Sequence, residues 1–395
     1  MALAALAAGP RLGRLLSGPG PGLRAGRGHR TAAGRSPSSR EADAPVFQYV
    51  GERAARADRI FVWGFSFSGA LGVPTFVLPS AGPKPRAGSR PPRRIQPVPY
   101  RLELDQKISS AACGYGFTLL SSKTKDVTKV WGMGLNKDSQ LGFHQSRKDK
   151  TRGYEYVLEP SPVPLPLDRP QETQVLQVSC GRAHSLILTD REGGLGHYNI
   201  TSVPTKLGGD LAGVNVVQVA TYGDCCLAVS AEGGLFGWGN SEYLQLAAVT
   251  DATQVNVPRC LPFSGVGKVK QAACGGTGCA VLNGEGHVFV WGYGILGKGP
   301  NLVESALPEV IPPSLFGLTE FNPGVHVSLI RCGLSHFAAL TNRGELFVWG
   351  KNIRGCLGVG RLEDQYFPWR VTMPGEPVDV ACGVDHMVTL AKSFI

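Results

Sequence analysis

Nowhere does the chain hold the run of about 18 apolar residues that crosses a bilayer as a helix. It also has no Gly-x-Ser-x-Gly elbow, no His-Glu-x-x-His pair and no other catalytic signature. The first absence leaves peripheral association as the expected mode of any membrane contact. The second weighs against covalent chemistry, so no residue is assigned as catalytic, cofactor-binding or metal-ligating. Charge is scarce as well, at 18% of 395 residues, whereas Gly (53) and Pro (29) are abundant and 43% of the chain is apolar. That balance fits many short apolar strands joined by tight turns.

Acidic residues are missing altogether from residues 1–40, which carry seven arginines and no lysine. Setting this segment aside lowers the formal charge from +10 to +3, with 33 Lys and Arg against 30 Asp and Glu. The body is therefore only mildly basic. The segment pairs its arginines with Ser, Ala and spaced leucines (Leu3, Leu6, Leu12, Leu15, Leu16), the composition of a mitochondrial presequence. A secretory signal would place its basic region before the apolar stretch, whereas here Ala2–Ala8 comes first; a plain disordered basic tail is the other alternative. The expected layout is a presequence over 1–40, a linker over 41–54, a folded unit over 55–392 with a Pro/Arg-rich loop at 80–101, and a tail at 393–395.

Two half-motifs alternate through that folded unit. One reads apolar-x-Cys-Gly-x-x-His, at Cys180 to His184, Cys332 to His336 and Cys382 to His386, with looser copies at Cys113-Gly114, Cys274-Gly275 and Thr221-Tyr222. The other reads apolar-x-Trp-Gly and closes on Leu-Gly, at Trp63 to Gly72, Trp131 to Gly142 and Trp349 to Gly358, with Trp238-Gly239 and Trp291-Gly292 besides. Anchor to tryptophan is 17 residues in three copies and 18 from Cys113 to Trp131. Each half carries period-2 alternation, as in Glu345-Leu346-Phe347-Val348-Trp349, and Gly-containing turns lie between. Four short strands per ~50 residues make one propeller blade, which cannot bury both faces until neighbours stack around an axis. The tryptophan half at 59–72 has no inner half before it and the Cys382 half has no tryptophan after it, so the two are expected to share one blade and close the ring.

These residues resemble the regulator-of-chromosome-condensation repeat family over nearly all of 55–392, and with the presequence they resemble its mitochondrial member. The resemblance implies an all-β propeller, normally of seven blades, and guanine-nucleotide exchange on a dynamin-like fusion GTPase of the inner membrane, in the matrix or on its face. The alternative is an RNA-associated scaffold in mitochondrial ribosome assembly, binding large-subunit ribosomal RNA and assembly factors. Neither reading involves DNA or a cofactor. The founding member's GTPase-contacting loops are not recognisable here, so no exchange residues carry over.

The repeat has a defect. Anchors at 113, 180, 221, 274, 332 and 382 leave intervals of 67, 41, 53, 58 and 50, and the second is too short. After Cys180 the chain passes from an inner turn to Leu195-Gly196 without a tryptophan. A segment is missing near Gly193/Gly194, leaving about six blades with one incomplete.

The remaining motifs have plain readings. Gly292-Tyr293-Gly294-Ile295-Leu296-Gly297-Lys298 matches a phosphate loop, but Gly299 replaces the Ser/Thr for Mg²⁺ and no helix follows. His184, His336 and His386 with Cys180, Cys332 and Cys382 fall on different blades and do not converge on one ion; each His is expected to hydrogen-bond neighbouring backbone. Trp63, Trp131, Trp238, Trp291 and Trp349 read as packing between blades, whereas Trp369 beside Pro368 reads as an exposed anchor or a packed loop. Lys84, Arg86, Arg90, Arg93 and Arg94, and Arg147, Lys148, Lys150 and Arg152, are solvated loop charge or a footprint for RNA phosphates or anionic lipid.

Overall fold

Period-2 apolar segments bounded by glycine turns form short antiparallel strands throughout the described residues. The computed structural model describes residues 58–76, 94–137, 140–141, 156–165, 167, 169–182, 185–189, 208–223 and 225–394. In chain order the strands are β1 (Asp58–Phe65) and β2 (Ile95–Leu102); β3 (Ser110–Cys113), β4 (Phe117–Ser121), β5 (Val130–Leu135) and β6 (Tyr156–Pro162); then β7 (Val175–Cys180) and β8 (Ser185–Thr189). There follow β9 (Val216–Tyr222), β10 (Cys225–Ser230), β11 (Leu235–Asn240) and β12 (Gln254–Cys260), and β13 (Val269–Cys274), β14 (Gly278–Asn283), β15 (Val288–Tyr293) and β16 (Glu304–Val310). The last are β17 (Val327–Cys332), β18 (His336–Thr341), β19 (Leu346–Gly350) and β20 (Gln365–Arg370), with β21 (Glu376–Cys382) and β22 (His386–Lys392). Among the described residues the helical segments are all 3₁₀ turns, and no helix is long and apolar enough to cross a membrane.

The strands assemble into five four-stranded sheets and the two-stranded β7-β8. Four sheets are simple meanders, and the fifth, β2-β1-β22-β21, draws two strands from each end of the folded unit. Its central pair aligns Trp63 with Met387 and Gly64 with His386. The sheets pack in succession: β9–β12 on β13–β16, then β17–β20, then the terminal sheet, then β3–β6, then β7-β8. The molecule is an all-β propeller.

Proline marks the outermost strand of each complete sheet. Pro99, Pro160, Pro258, Pro308 and Pro368 all lie where the pairing with the third strand shifts register. A residue without an N–H is tolerated there because the ladder is interrupted and the far edge needs no donor. For that reason the Pro/Arg-rich loop does not extend to residue 101: Ile95–Leu102, which reads as loop from its prolines, is the edge strand β2.

Candidate interaction face and blade junctions

The tryptophans work between sheets. Trp63, Trp238, Trp291 and Trp349 each occupy the third-strand position at the register shift, followed by a glycine with φ between 98 and 113°. Trp63 is wholly buried, donates its indole N–H to the Cys356 carbonyl (2.8 Å) and lies against Gly358 of the preceding sheet. A Cβ on Gly358 would stand 2.6 Å from the Trp63 Nε1, and one on Gly297 would stand 2.8 Å from Trp349. The Leu-Gly that ends one half-motif is therefore the seat for the next sheet's tryptophan, which is the physical reason the two travel together. Trp291 repeats the bond, donating to the Gln245 carbonyl at 2.8 Å.

Trp131 is buried in one core cluster with Ile60, Val62 and Val388 of the terminal sheet, but it does not occupy the seat position. Met133 pairs with Thr118 as Trp349 pairs with Phe337, and Met133 precedes Gly134 at φ 107°. Gly72 packs on the Met133 sulfur. The hairpin over 122–129 is longer than its counterparts, so the motif Trp-Gly lies two residues ahead of the structural position.

The cysteines line the inner junctions. Cys113 donates its thiol to the Ala381 carbonyl (3.6 Å), Cys180 to Ala112 (3.5 Å) and Cys332 to Ala273 (3.5 Å). In each case the acceptor immediately precedes the anchor cysteine of the neighbouring sheet. Burial pushes the thiols of Cys180, Cys332 and Cys382 well up, which keeps them unreactive. The histidines bond side chains rather than the backbone expected. His386 Nε2 lies 2.9 Å from Thr118 Oγ1, whose hydroxyl donates onward to the Ala70 carbonyl, so the ring is the donor. Burial opposes charge on this ring, but Cys113 and the Asp385 carboxylate beside it raise it to about 10. His336 meets the Cys356 sulfur at 3.7 Å, and burial, with the charge of His386, lowers it to about 4. His184 lies outside the described residues.

One thiol group was not anticipated. The sulfurs of Cys225, Cys274 and Cys279, all buried, lie within 4.8 Å of one another, although repeat cysteines read as too far apart to share a ligand. Only Cys274 belongs to the anchor series. Cys279 sits where Thr118 and Phe337 sit, and Cys225 where His336 and His386 sit. The signal that could have found them is this repeat register, which places their side chains in one junction.

First-to-second and third-to-fourth connections all end at one face. There Arg354, half-exposed and in left-handed backbone (φ 54°), pairs with Asp385 at 2.7 Å and lies 4.0 Å above the Phe65 ring, which neighbours exposed Phe67. Burial opposes the Asp385 charge, but His386 and Arg354 hold its carboxyl below the usual range. Tyr115 and Tyr222 meet near the centre with ring centroids 5.7 Å apart, and Arg182 stands 6.0 Å from the Tyr115 centroid. On the rim, Trp369 is half-exposed in β20, with Arg361 at 5.1 Å. Elsewhere a cavity of about 360 Å³ is lined by Arg59, Arg101 and Arg331 with Glu103 and Asp379. Of the basic loop residues Arg94 is exposed and its carbonyl accepts from the Ser66 amide. Lys84, Arg86, Arg90, Arg93, Arg147, Lys148, Lys150 and Arg152 lie outside the described residues.

Sheets built from one recurring sequence and locked through tryptophan seats define a repeat-built β-propeller. The regulator of chromosome condensation (RCC1) repeat model matches residues 129–188, 232–282 and 343–390, and a second model of that repeat matches 327–356. The human RCC1-like G exchanging factor-like protein is 75% identical over 468 aligned residues, covering 100% of both chains, and the mouse protein of that name is 74% identical over 97% of this chain and 99% of its own. This chain belongs to the RCC1 repeat family. The crystal structure of human WBSCR16 is 74% identical and superposes with a TM-score of 0.78 over 86% of this chain and 100% of its own. Prp20p from Saccharomyces cerevisiae, at 20% identity and a TM-score of 0.52 over 87% of this chain and 93% of its own, shares the fold. Against 395 residues here, the 468 positions aligned with the human protein leave at least 73 without a counterpart.

Proposed function

We propose that the chain is a mitochondrial guanine-nucleotide exchange factor and scaffold acting on a dynamin-like inner-membrane GTPase through the face that carries Arg354, Phe65 and Phe67. The observation that carries this reading is full-length 75% identity to a protein named as a G exchanging factor-like protein. Exchange needs no acid, base or nucleophile: the factor accelerates release by preferring the nucleotide-free GTPase. A nanomolar nucleotide corresponds to about 12 kcal/mol, so the factor must offset binding on that scale with a broad rigid surface. An arginine held in place by Asp385 and stacked on Phe65 loses little side-chain freedom on docking, and arginine and aromatic residues dominate such interfaces. The yeast propeller Prp20p has binding properties toward Gsp1p and histones, which accords with a propeller used for macromolecular partners.

The acid-free Arg-rich segment at 1–40 supports placement in the matrix or on the matrix face of the inner membrane. The β7-β8 pair is read as the inner half of a sixth blade. The 73 positions without counterpart amount to about one and a half ~50-residue repeats, enough to complete that blade and add a seventh in the longer relatives.

The test is release of labelled GDP from the purified GTPase with the full chain added. Acceleration that falls about tenfold in Arg354→Ala supports the assignment; no acceleration by the wild-type chain refutes it. The second reading, a scaffold on large-subunit ribosomal RNA, is favoured by the basic segments between β1 and β2 and between β5 and β6, whose flanking strands end on one face of adjacent sheets. It requires binding that weakens steeply with salt and is lost on neutralising Arg90, Arg93 and Arg94.

A further inference from the structure

Each junction between neighbouring sheets brings together three equivalent positions: the anchor and its cross-strand partner from one sheet, and the His position from the sheet before it. At one junction these are Cys113, Thr118 and His386; into the terminal sheet they are Cys382, Met387 and His336. Between β9–β12 and β13–β16 the same three positions are Cys274, Cys279 and Cys225. Three thiols thus converge where the other junctions hold a mixture of hydroxyl, thioether, ring and thiol. The fold imposes the convergence, since Cys274 and Cys279 are directly paired across β13 and β14 and Cys225 begins β10 on the facing sheet.

We propose that this junction is a binding site for a soft, closed-shell metal ion, copper(I), held by the sulfurs of Cys225, Cys274 and Cys279 in trigonal coordination. The spacing suits it: three sulfurs around an ion at about 2.3 Å stand about 4 Å apart, and the Cys225 and Cys274 sulfurs are 3.9 Å apart with all three inside 4.8 Å. Soft thiolates select copper(I), zinc or iron–sulfur centres. A structural zinc site wants a fourth protein ligand, and among the described residues the group of His, Cys, Asp and Glu stops at three. Copper(I) is satisfied by three sulfurs and gains nothing from the water that burial excludes.

A binding ion displaces the protons of the three thiols, since the thiolate is the form that ligates.

The repeat supplies the control variants. Cys279→Thr installs the residue that the Cys113 junction carries at this place, so the side chain suits the local backbone. The full chain, in a Cys260→Ser background to remove the exposed thiol, is titrated with copper(I) against a chromophoric chelator, with zinc(II) in parallel. The site predicts one equivalent of copper(I) withheld by the parent and by Cys180→Ala, a buried cysteine at another junction, and none withheld by Cys279→Thr or Cys225→Ala. X-ray absorption of the loaded parent should show sulfur alone in the first shell. Copper(I) should raise the thermal midpoint of the parent, a readout that stands without any variant. Equal copper retention by the parent and Cys279→Thr, no shift of the parent's midpoint, or retention of zinc(II) alone would each overturn the assignment. So would peptide mapping that finds the trio converted to a disulfide with no metal taken up.

Discussion

Trp63 and Trp238 stand at equivalent points in their sheets, yet one is fully buried and the other is partly exposed. Both precede a glycine with positive φ and sit at the register shift opposite the outer strand. The difference lies in the neighbour. Trp63 is seated on Cys356, Leu357 and Gly358 of the sheet before it. The sheet before Trp238 is β7-β8, which carries no outer pair among the described residues, and the Leu195-Gly196 that would make its seat lies outside them. A repeat's tryptophan is thus buried where its predecessor supplies the seat.

The strongest way to break this comparison is to truncate both rings. Trp63→Ala should cost about 3–5 kcal/mol, as large aromatic deletions in packed cores do, whereas Trp238→Ala should cost clearly less. Urea unfolding of the two variants gives the difference, and equal losses would show that the seat contributes nothing. The junction under Trp63 also carries His336, whose imidazole is held at about 4 against 6.5 when unfolded. A depressed histidine binds its proton more readily in the unfolded chain, so the stability it supports is complete above pH 6.5 and is lost as pH falls toward 4. The loss is about 3 kcal/mol across that window, and His336→Gln should flatten it in a pH series of melts. His386 works in the opposite sense: raised to about 10, it contributes fully below pH 6.5 and progressively less as pH climbs through 10.

A smaller effect tests the seat from the other side. Gly358→Ala places a Cβ against the Trp63 indole at a backbone φ of +71°, and should destabilise by about 1–3 kcal/mol. The same change in a Trp63→Ala background should cost much less, because the ring it strikes is gone; additivity in that double-mutant cycle would contradict the contact. The smallest effect is spectroscopic. In a Trp369→Phe background, which removes the half-exposed ring of β20, Trp238 should dominate quenching by acrylamide, and a chain restored with the 73 absent positions should shield it while leaving Trp63 unchanged.

The propeller was legible because its signals are local and recur. Trp-Gly, Leu-Gly and Cys-Gly each record a backbone conformation or a contact that recurs in most of the complete sheets, so alternation and spacing placed most of the strands. Trp131 shows where that logic slips: residue spacing cannot tell a longer hairpin from a shifted strand, and only the pairing of Thr118 with Met133 reveals the two-residue offset. Ile95–Leu102 was obscured by its prolines, which mark an edge strand only once the neighbouring register is known. The Arg354, Asp385 and Phe65 group was hidden too, since Phe65 lies near the start of the folded unit and the other two near its end.

By itself the sequence determined the repeat, its two halves, the short interval after Cys180 and the acid-free basic segment at 1–40. These depend on residue type and spacing, which a chain displays without folding. Tertiary structure alone decided which histidine is charged, which tryptophan is covered and which thiols meet. Those properties belong to junctions between sheets, where each environment draws on two sheets, as Cys225 meets Cys274 and Cys279 and Thr118 meets His386, so no single segment contains it.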